Sequence, residues 1–255
     1  MATAKSKLPK ELAAAFTEDV GAGFEMVTSE SLQIPFIEIV QAQSKVMKKG
    51  DAKYNPKLSV GDIYNSVTGQ SWSPSEGILV LPVHFEMKWV EWSKGQGGDK
   101  QFVGIVPDDS PRLETLHEPE GTYDAFFENG NEALKTAHHY VKIVHEDQTL
   151  ESALITMART KLKKSRQWIS MMMMRKHNGK TMPSFANTYR LTTDQESNVR
   201  GSWETWIITP ESTVPSLEAY EECKEFYTSI NSGELAVAGP QPMEAVTDQS
   251  EEVPF

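Results

Sequence analysis

The chain of 255 residues carries 25 Lys and Arg against 36 Asp and Glu, which gives a net charge of −11 and a pI of about 5.1. Its mean hydropathy is −0.46, and it has no run of about 20 apolar residues, so no membrane span is predicted. Residues 1–7 lack the apolar core of a secretory signal, and a cytoplasmic location is expected. A single cysteine, Cys223, excludes an internal disulfide framework and a multi-cysteine zinc site. The total of −11 argues against binding to nucleic acid, since phosphate repels an acidic protein.

Apolar and β-branched runs separated by turn residues predict a mainly β chain with some helix, of the α+β class. Many short strands around one embedded helix favour a small β-barrel with elaborations. In chain order we expect a strand or short helix over 32–40, a strand and turn over 62–69, strands over 77–92, 101–106, 138–144 and 152–157, a helix over 159–175, strands over 186–192 and 202–209 around a turn at 194–198, and a helix over 216–230.

The composition divides the chain into three parts. Residues 1–30 are rich in Ala, Lys and Glu, and we expect them to form an N-terminal arm. We expect residues 31–231 to form the folded body. Within the body, 107–132 is acidic and rich in turn residues, which predicts a surface insertion. Residues 232–255 are polar and contain prolines, and they are too poor in apolar residues to fold, so they predict a flexible acidic tail.

The charge is distributed unevenly along the chain. Residues 154–180 hold eight basic side chains and no acid. By contrast, 107–132 holds eight acids against one arginine, and 211–255 holds ten acids against one lysine. Such asymmetry points to a nucleic-acid surface together with an acidic tail. A solvated helix face with an acidic linker is the alternative, and charge alone does not separate the two.

The sequence offers little for catalysis. It has no phosphate-binding loop, dinucleotide-binding glycine pattern or nucleophile elbow. His84 and Glu86 share one strand face, and His138, His139 and His145 are close in sequence, but no third metal ligand is fixed. We therefore predict no catalytic residue, no metal site and no cofactor, and the protein is not expected to be an enzyme.

Residues 159–168, at the start of the predicted helix, form a cationic block of five Lys and Arg side chains together with Trp168. Lysine and arginine at this density supply phosphate contacts, and exposed rings supply stacking platforms for bases. Tryptophans of opposite strand parity, such as Trp89 and Trp92, place one ring on each side of a strand. Met171–Met174 cover every face of a helical turn, so two are expected to pack and two to form an adaptable apolar surface. The candidate DNA contacts are Arg159, Lys161, Lys163, Lys164, Arg166, Lys53 and Arg190 for the backbone, with the rings of Tyr54, Tyr64, Trp89, Trp92 and Tyr189.

The last eight residues, Asp248 to Phe255, combine acids with an apolar Pro-Phe end. This ending resembles the tails of bacterial single-stranded DNA-binding proteins and of the phage T7-type single-stranded DNA-binding proteins. The resemblance implies that the tail recruits replication proteins such as polymerase, helicase or primase. It also implies that the tail competes electrostatically with DNA for the DNA-binding groove. The matching residues are Glu251, Glu252, Pro254 and Phe255, whereas Gln249 and Ser250 stand where more acids are expected.

The body also resembles the T7-type phage proteins. The similarity lies in a strand over 153–157 that leads into residues 160–168, and more weakly in the strand over 77–92. It implies an OB-fold-like β-barrel with an inserted helix.

We therefore expect a protein that coats single-stranded DNA without strong sequence preference in phage replication or recombination. A homodimer is possible, and no membrane partner is expected. Three rivals remain open: a strand-annealing recombination protein, an acidic DNA mimic that inhibits a host enzyme, and a metal-dependent enzyme built on the histidines.

Overall fold

The computed structural model describes residues 34–94, 100–120, 124–199 and 201–232. Met1–Gln33 and Ile34–Phe255 are separate units, and every feature below lies in the second. The predicted arm, 1–30, lies outside the described residues, as does the predicted tail from residue 233 onward.

Strands dominate the described residues, and the predicted mainly β, α+β class is confirmed. The helices are α1 (Leu162–Met173) and α2 (Leu217–Asn231). The strands are β1 (Ile37–Ile39), β2 (Ile63–Asn65), β3 (Ser71–Trp72), β4 (Ile78–Lys94), β5 (Lys100–Val106), β6 (Ala125–Phe126), β7 (Glu132–Val144), β8 (Leu150–Ala158), β9 (Lys176–His177), β10 (Lys180–Thr181), β11 (Asn187–Asn198) and β12 (Gly201–Thr213).

The strands pair as open antiparallel sheets. The largest has the order β12-β11-β4-β7-β6, with β5 added to β4 and β8 added to β7. A second sheet has the order β1-β2-β3, and β9 pairs with β10 as a hairpin. The long strands β4 and β7 are thus the centre on which the other elements are assembled.

Alternation along the central strands sends side chains into two apolar clusters. Ala137 and Val141 of β7 join the cluster that holds Trp168 of α1. Tyr140 and Val144 of the same strand join the cluster that holds Phe226 of α2. Because successive side chains of a strand point to opposite faces, one central strand supports both helices.

Several predicted boundaries differ from the structure, among them the start of β7, which lies at Glu132 rather than at residue 138. The helix predicted over 159–175 begins at Leu162, because Arg159 has a φ of 52° and opens a single 3₁₀ turn over 159–161. The turn predicted at 194–198 is strand, since β11 and β12 stay paired as far as Asn198 and Gly201. These last pairs are mostly polar and exposed, so apolar alternation, the signal used for strands, is absent there.

Candidate nucleic-acid interface

Helix α1 is fixed to the sheet by its inner face. Trp168 is buried and stacks on the His139 ring at a centroid distance of 4.7 Å. The Ser165 hydroxyl is hydrogen-bonded to Nε2 of His139 at 2.8 Å. This packing turns Lys163 and Arg166, one helical turn apart, to solvent. Neither has an ion-pair partner among the described residues.

The hairpin β9–β10 follows α1 and extends the same charge. Its two-residue loop, Asn178-Gly179, has φ values of 49° and 75°, as a type I′ turn requires. Lys176 and Lys180 are exposed on its strands, again without an ion-pair partner in the described ranges. Sequence analysis did not assign this hairpin, although an Asn-Gly pair is a strong signal for one. We call Lys163, Arg166, Lys176 and Lys180 the basic surface.

No acid lies near this surface in sequence. Between Glu151 and Asp194 the chain contains no Asp or Glu. Other basic side chains are paired within the protein. These pairs are Lys88 with Glu86 and Asp108, Lys100 with Glu132, Lys142 with Glu222, and Arg112 with Glu91.

Three of the predicted phosphate-binding cations are held in ion pairs. Arg159 pairs with Glu132 and, at 2.7 Å, with Asp124. Lys164 pairs with Glu196 at 2.7 Å. Arg190 donates two hydrogen bonds to the Glu211 carboxylate, at 2.8 and 2.9 Å, and this contact raises the pKa of the arginine. Of the five helix-block cations, Lys163 and Arg166 are the ones exposed and unpaired in the described structure.

Lys161, in the 3₁₀ turn before α1, is half-buried. Burial lowers the pKa of Lys161 to about 8, against the opposing attraction of Glu38 and Glu204. The Tyr64 hydroxyl donates to the Glu38 carboxylate at 2.6 Å. Lys161 and Tyr64 were both predicted to contact DNA, and the structure brings them to the same carboxylate.

The predicted stacking rings differ widely in exposure. Trp92 and Tyr189 are buried, so the expectation that they offer a face to a base is wrong in this structure. Trp89 is half-buried beneath Lys135, whose Nζ lies 5.5 Å from the ring centroid. Tyr54 is 36% exposed and lies beside the exposed Lys53.

The acidic segment 107–132 is anchored to the large sheet by a buried carboxylate. Arg112 donates two hydrogen bonds to Glu91, both at 2.8 Å, and the Asn129 and Asn131 amides donate to it at 3.0 and 2.7 Å. The Arg112 contact, helped by the amides and opposed by burial, lowers the pKa of Glu91 to about 2. Arg112 also lies over the Phe127 ring, 4.2 Å from its centroid. The insertion therefore packs on the sheet, and its one arginine is used to hold it there.

The histidines do not assemble a metal site in the described residues, where no cluster of three or more His, Cys, Asp or Glu side chains could hold an ion. His138 is buried, and neither of its ring nitrogens has a hydrogen-bond partner. Burial lowers the pKa of His138 to about 4 and that of His139 to about 3. None of the described helices is long and apolar enough to span a membrane.

Comparison with known proteins gives one relationship. A protein-family model described as Pam3 phage gp34-like protein matches residues 4–236. Comparisons with curated proteins and with solved structures gave no match. The match covers the whole of the described structure and most of the chain.

Proposed function

From the premise that the chain belongs to the Pam3 phage gp34-like family, we propose that this protein binds single-stranded DNA without strong sequence preference. The family is one of phage proteins, which fits a role in phage DNA replication or recombination in the host cytoplasm. The proposed protein is a binding protein and not an enzyme.

The basic surface is the observation that carries this proposal. Its four cations are exposed and have no ion-pair partner in the described ranges. The chain around them contains no Asp or Glu between Glu151 and Asp194. A cation that is already paired must give up its partner to bind a phosphate, whereas an unpaired one exchanges only mobile counterions. Phosphate contacts carry no sequence information, and this accounts for the weak sequence preference.

We also propose that the two larger sheets close into an OB-type barrel. Two backbone hydrogen bonds between them support this arrangement. The Leu154 amide donates to the Pro35 carbonyl at 2.9 Å, which joins β8 to the start of β1. The Thr193 amide donates to the Pro74 carbonyl at 3.3 Å, which joins β11 to the segment after β3. OB-type barrels are frequent scaffolds for single-stranded nucleic acid.

The acidic tail is the proposed recruitment element. Glu251, Glu252, Pro254 and Phe255 lie outside the described residues, and their role rests on the resemblance of this ending to known tails. In the proposed protein, an apolar pocket of a replication partner takes Phe255, and basic side chains of that partner take the acids. Polymerase, helicase and primase are the partner classes that the resemblance implies.

Charge neutralisation on the full chain tests the proposal. One variant replaces Lys163, Arg166, Lys176 and Lys180 by Gln. The matched control replaces Lys48, Lys49, Lys57 and Lys135 by Gln, which are also exposed, and changes the net charge equally. We expect the first variant to bind a single-stranded oligonucleotide at least about tenfold more weakly, because four phosphate contacts are lost. The control is expected to stay within about threefold of the natural chain at about 0.15 M salt, where the Debye length is about 8 Å and charges that do not contact the strand are screened.

The outcomes separate the rival functions. Equal losses of DNA affinity in both variants would show that only the net charge matters, and this would contradict the assignment of DNA binding to the basic surface. No binding to single-stranded DNA by the natural chain would reject the proposal and favour an acidic DNA mimic. Binding accompanied by rapid annealing of complementary strands, with rings or filaments, would identify a strand-annealing protein.

A further inference from the structure

Strand β4 has a gap along one edge. On that edge β11 pairs with residues 78–80 and β5 pairs with residues 89–94. Between them, no described strand pairs with residues 81–88 on this edge, whereas β7 pairs along the opposite edge of the same residues. The Ser184 hydroxyl donates to the Val83 carbonyl at 3.0 Å at the near end of the gap. An unpaired strand edge exposes backbone donors and acceptors to any molecule that reaches it.

An open groove lies over this gap. Its volume is about 240 Å³, below the roughly 300–1,000 Å³ of pockets for drug-sized ligands. A volume of this size suits one planar ring system rather than a complete nucleotide cofactor. Its walls come from strands β4, β7 and β10, from both helices and from the segment after the hairpin, and they are mostly rings and thioethers. These include His84 and Phe85 of β4, Met172 and Met173 of α1, Met182 after the hairpin, and Tyr227 of α2.

The walls leave apolar surface accessible to a ligand. Tyr227 is 42% exposed and Met173 is 63% exposed. The Tyr227 ring is held at its edge by His84, with ring centroids 5.8 Å apart. Two methionines of the run were expected to pack and two to form an adaptable surface. That is confirmed, because Met171 and Met172 pack against the core while Met173 and Met174 are exposed.

The basic hairpin forms one rim of the same groove. Thr181 lines the groove, and its cross-strand partner in the hairpin is Lys176. Directly paired residues project from the same side of an antiparallel ladder, so Lys176 stands beside the groove. Lys180 precedes Thr181 in the chain, so it projects from the opposite face of the hairpin. A mostly apolar groove thus borders Lys176, a cation that lacks an ion-pair partner among the described residues.

We propose that this groove holds one unstacked base of the bound single strand, while Lys176 contacts a phosphate next to that base. This inference rests on the proposed function and deepens it, since it assigns the base contacts to a place that none of the predicted rings occupies. Stacking on an aromatic ring and packing on flexible thioethers accept any base, in keeping with weak sequence preference.

Matched pairs of variants on the full chain test the groove. The groove variant combines Tyr227→Ser with Met173→Ser. The control combines Ile207→Ser with Met174→Ser, which removes two apolar side chains outside the groove that are 37% and 76% exposed. The probes are an oligothymidylate and an abasic oligonucleotide of the same length, bound at one salt concentration and followed by fluorescence anisotropy.

We expect the groove variant to bind oligothymidylate about tenfold more weakly, as the loss of one stacked base implies. The natural chain is expected to prefer oligothymidylate to the abasic strand, and the groove variant is expected to lose that preference. The control variant and the single substitution Tyr227→Phe are expected to keep it. Thermal melting of each variant verifies that the fold is retained at the temperature of the titration.

Failure of this inference is distinguishable from failure of the proposed function. A groove variant that keeps the preference for bases, or a control that loses as much as the groove variant, would overturn the base site. If neutralising the basic surface still weakens binding in that case, DNA binding remains and only the groove assignment falls. If the natural chain binds no single-stranded DNA, both proposals fail together.

Discussion

Two charged regions of this protein use their charges in opposite ways. In the anchored segment 107–132, Arg112 is held by the buried Glu91, which also accepts hydrogen bonds from two asparagines. In the basic surface, the cations of α1 and of the β9–β10 hairpin face solvent with no ion-pair partner in the described ranges. The first region uses charge to hold the fold, and the second leaves charge available to a ligand.

The comparison shows why the net charge of −11 says little about binding. A total counts paired and unpaired charges alike. Lys88, Lys100, Lys142 and Lys164 add to the total, but each is already in contact with a carboxylate. Local potential depends on the charges that remain unpaired, and four of these form the basic surface.

The largest expected effect is on the anchored segment. Glu91→Ala removes the acceptor of Arg112, Asn129 and Asn131, and leaves these donors without their partner. Because Arg112 and Asn129 are exposed and water can solvate them, the cost is that of hydrogen bonds to a charged group, about 1–3 kcal/mol of unfolding free energy. Urea unfolding at pH 7 measures the loss. The affinity for single-stranded DNA, measured where the variant is folded, is expected to stay unchanged.

Asp109→Asn is the matched control, because Asp109 is an exposed acid of the same segment. Its stability is expected to lie within about 0.5 kcal/mol of the natural chain. A Glu91 variant that is equally stable would show that the segment is not anchored as described.

Acid is expected to protonate the buried histidines of β7 and the Glu91 carboxylate in different pH windows. His138 has a folded pKa of about 4, below its ordinary value of 6.5, so the unfolded chain binds the proton first. Stability is therefore full above about pH 6.5 and falls as the pH drops through 4, by about 3 kcal/mol for His138. His139, which supports Trp168 of α1, acts in the same direction, with a folded pKa of about 3. Glu91 keeps its charge until the pH approaches 2.

Urea unfolding at several pH values between 7 and 4 measures this dependence. His138→Leu is expected to be at least as stable as the natural chain at pH 7, because the histidine nitrogens have no partner to lose. The variant should also show a weaker fall in stability below pH 6.5. An unchanged pH profile would contradict the burial assigned to this side chain.

Adjacent lysines on α1 reproduce the comparison on a smaller scale. Lys163 is unpaired among the described residues, whereas Lys164 contacts Glu196 at 2.7 Å. Lys163→Ala is expected to weaken binding of single-stranded DNA by about threefold at low salt, and Lys164→Ala by less, since its charge is already partly neutralised. Equal losses in anisotropy titrations would show that pairing does not decide which cations bind.

The smallest expected effect on DNA affinity is that of the tail. Deletion of residues 247–255 removes acids that compete for the basic surface, so DNA affinity is expected to stay equal or to rise by a few-fold at low salt. The same deletion is expected to abolish capture of a replication partner in a pull-down with the full chain as reference. Loss of DNA binding on deletion would contradict the role assigned to the tail.

The sequence was sufficient for the large elements. Strong apolar runs placed β4, β7 and β8, and helical spacing placed α1 and α2 to within a few residues, because burial imposes these periods directly. It also located the cation-rich segment that contains the basic surface. The order of charged residues along the chain was enough to locate this segment, because no acid interrupts it.

The individual contacts were beyond reach because they join distant parts of the chain. Arg159 belongs to the cationic block, but its partner Asp124 lies 35 residues away. The sequence does not distinguish Tyr189 from an exposed tyrosine, because it is tertiary packing against Trp168 that buries the ring. The groove is built from distant parts of the chain that no local sequence pattern relates. The Asn178-Gly179 hairpin, by contrast, was readable from its turn residues.

Salt dependence tests the central claim most directly, namely that the unpaired cations of α1 and the hairpin bind the DNA backbone. The measurement is the slope of log Kobs against log salt concentration for a single-stranded oligonucleotide, with the natural chain and with the variant lacking the four cations. We expect a linear fall for the natural chain, and a slope closer to zero by about 3 for the variant, since each phosphate contact contributes about 0.7. Equal slopes for the two proteins, or no binding of the natural chain at low salt, would contradict the account.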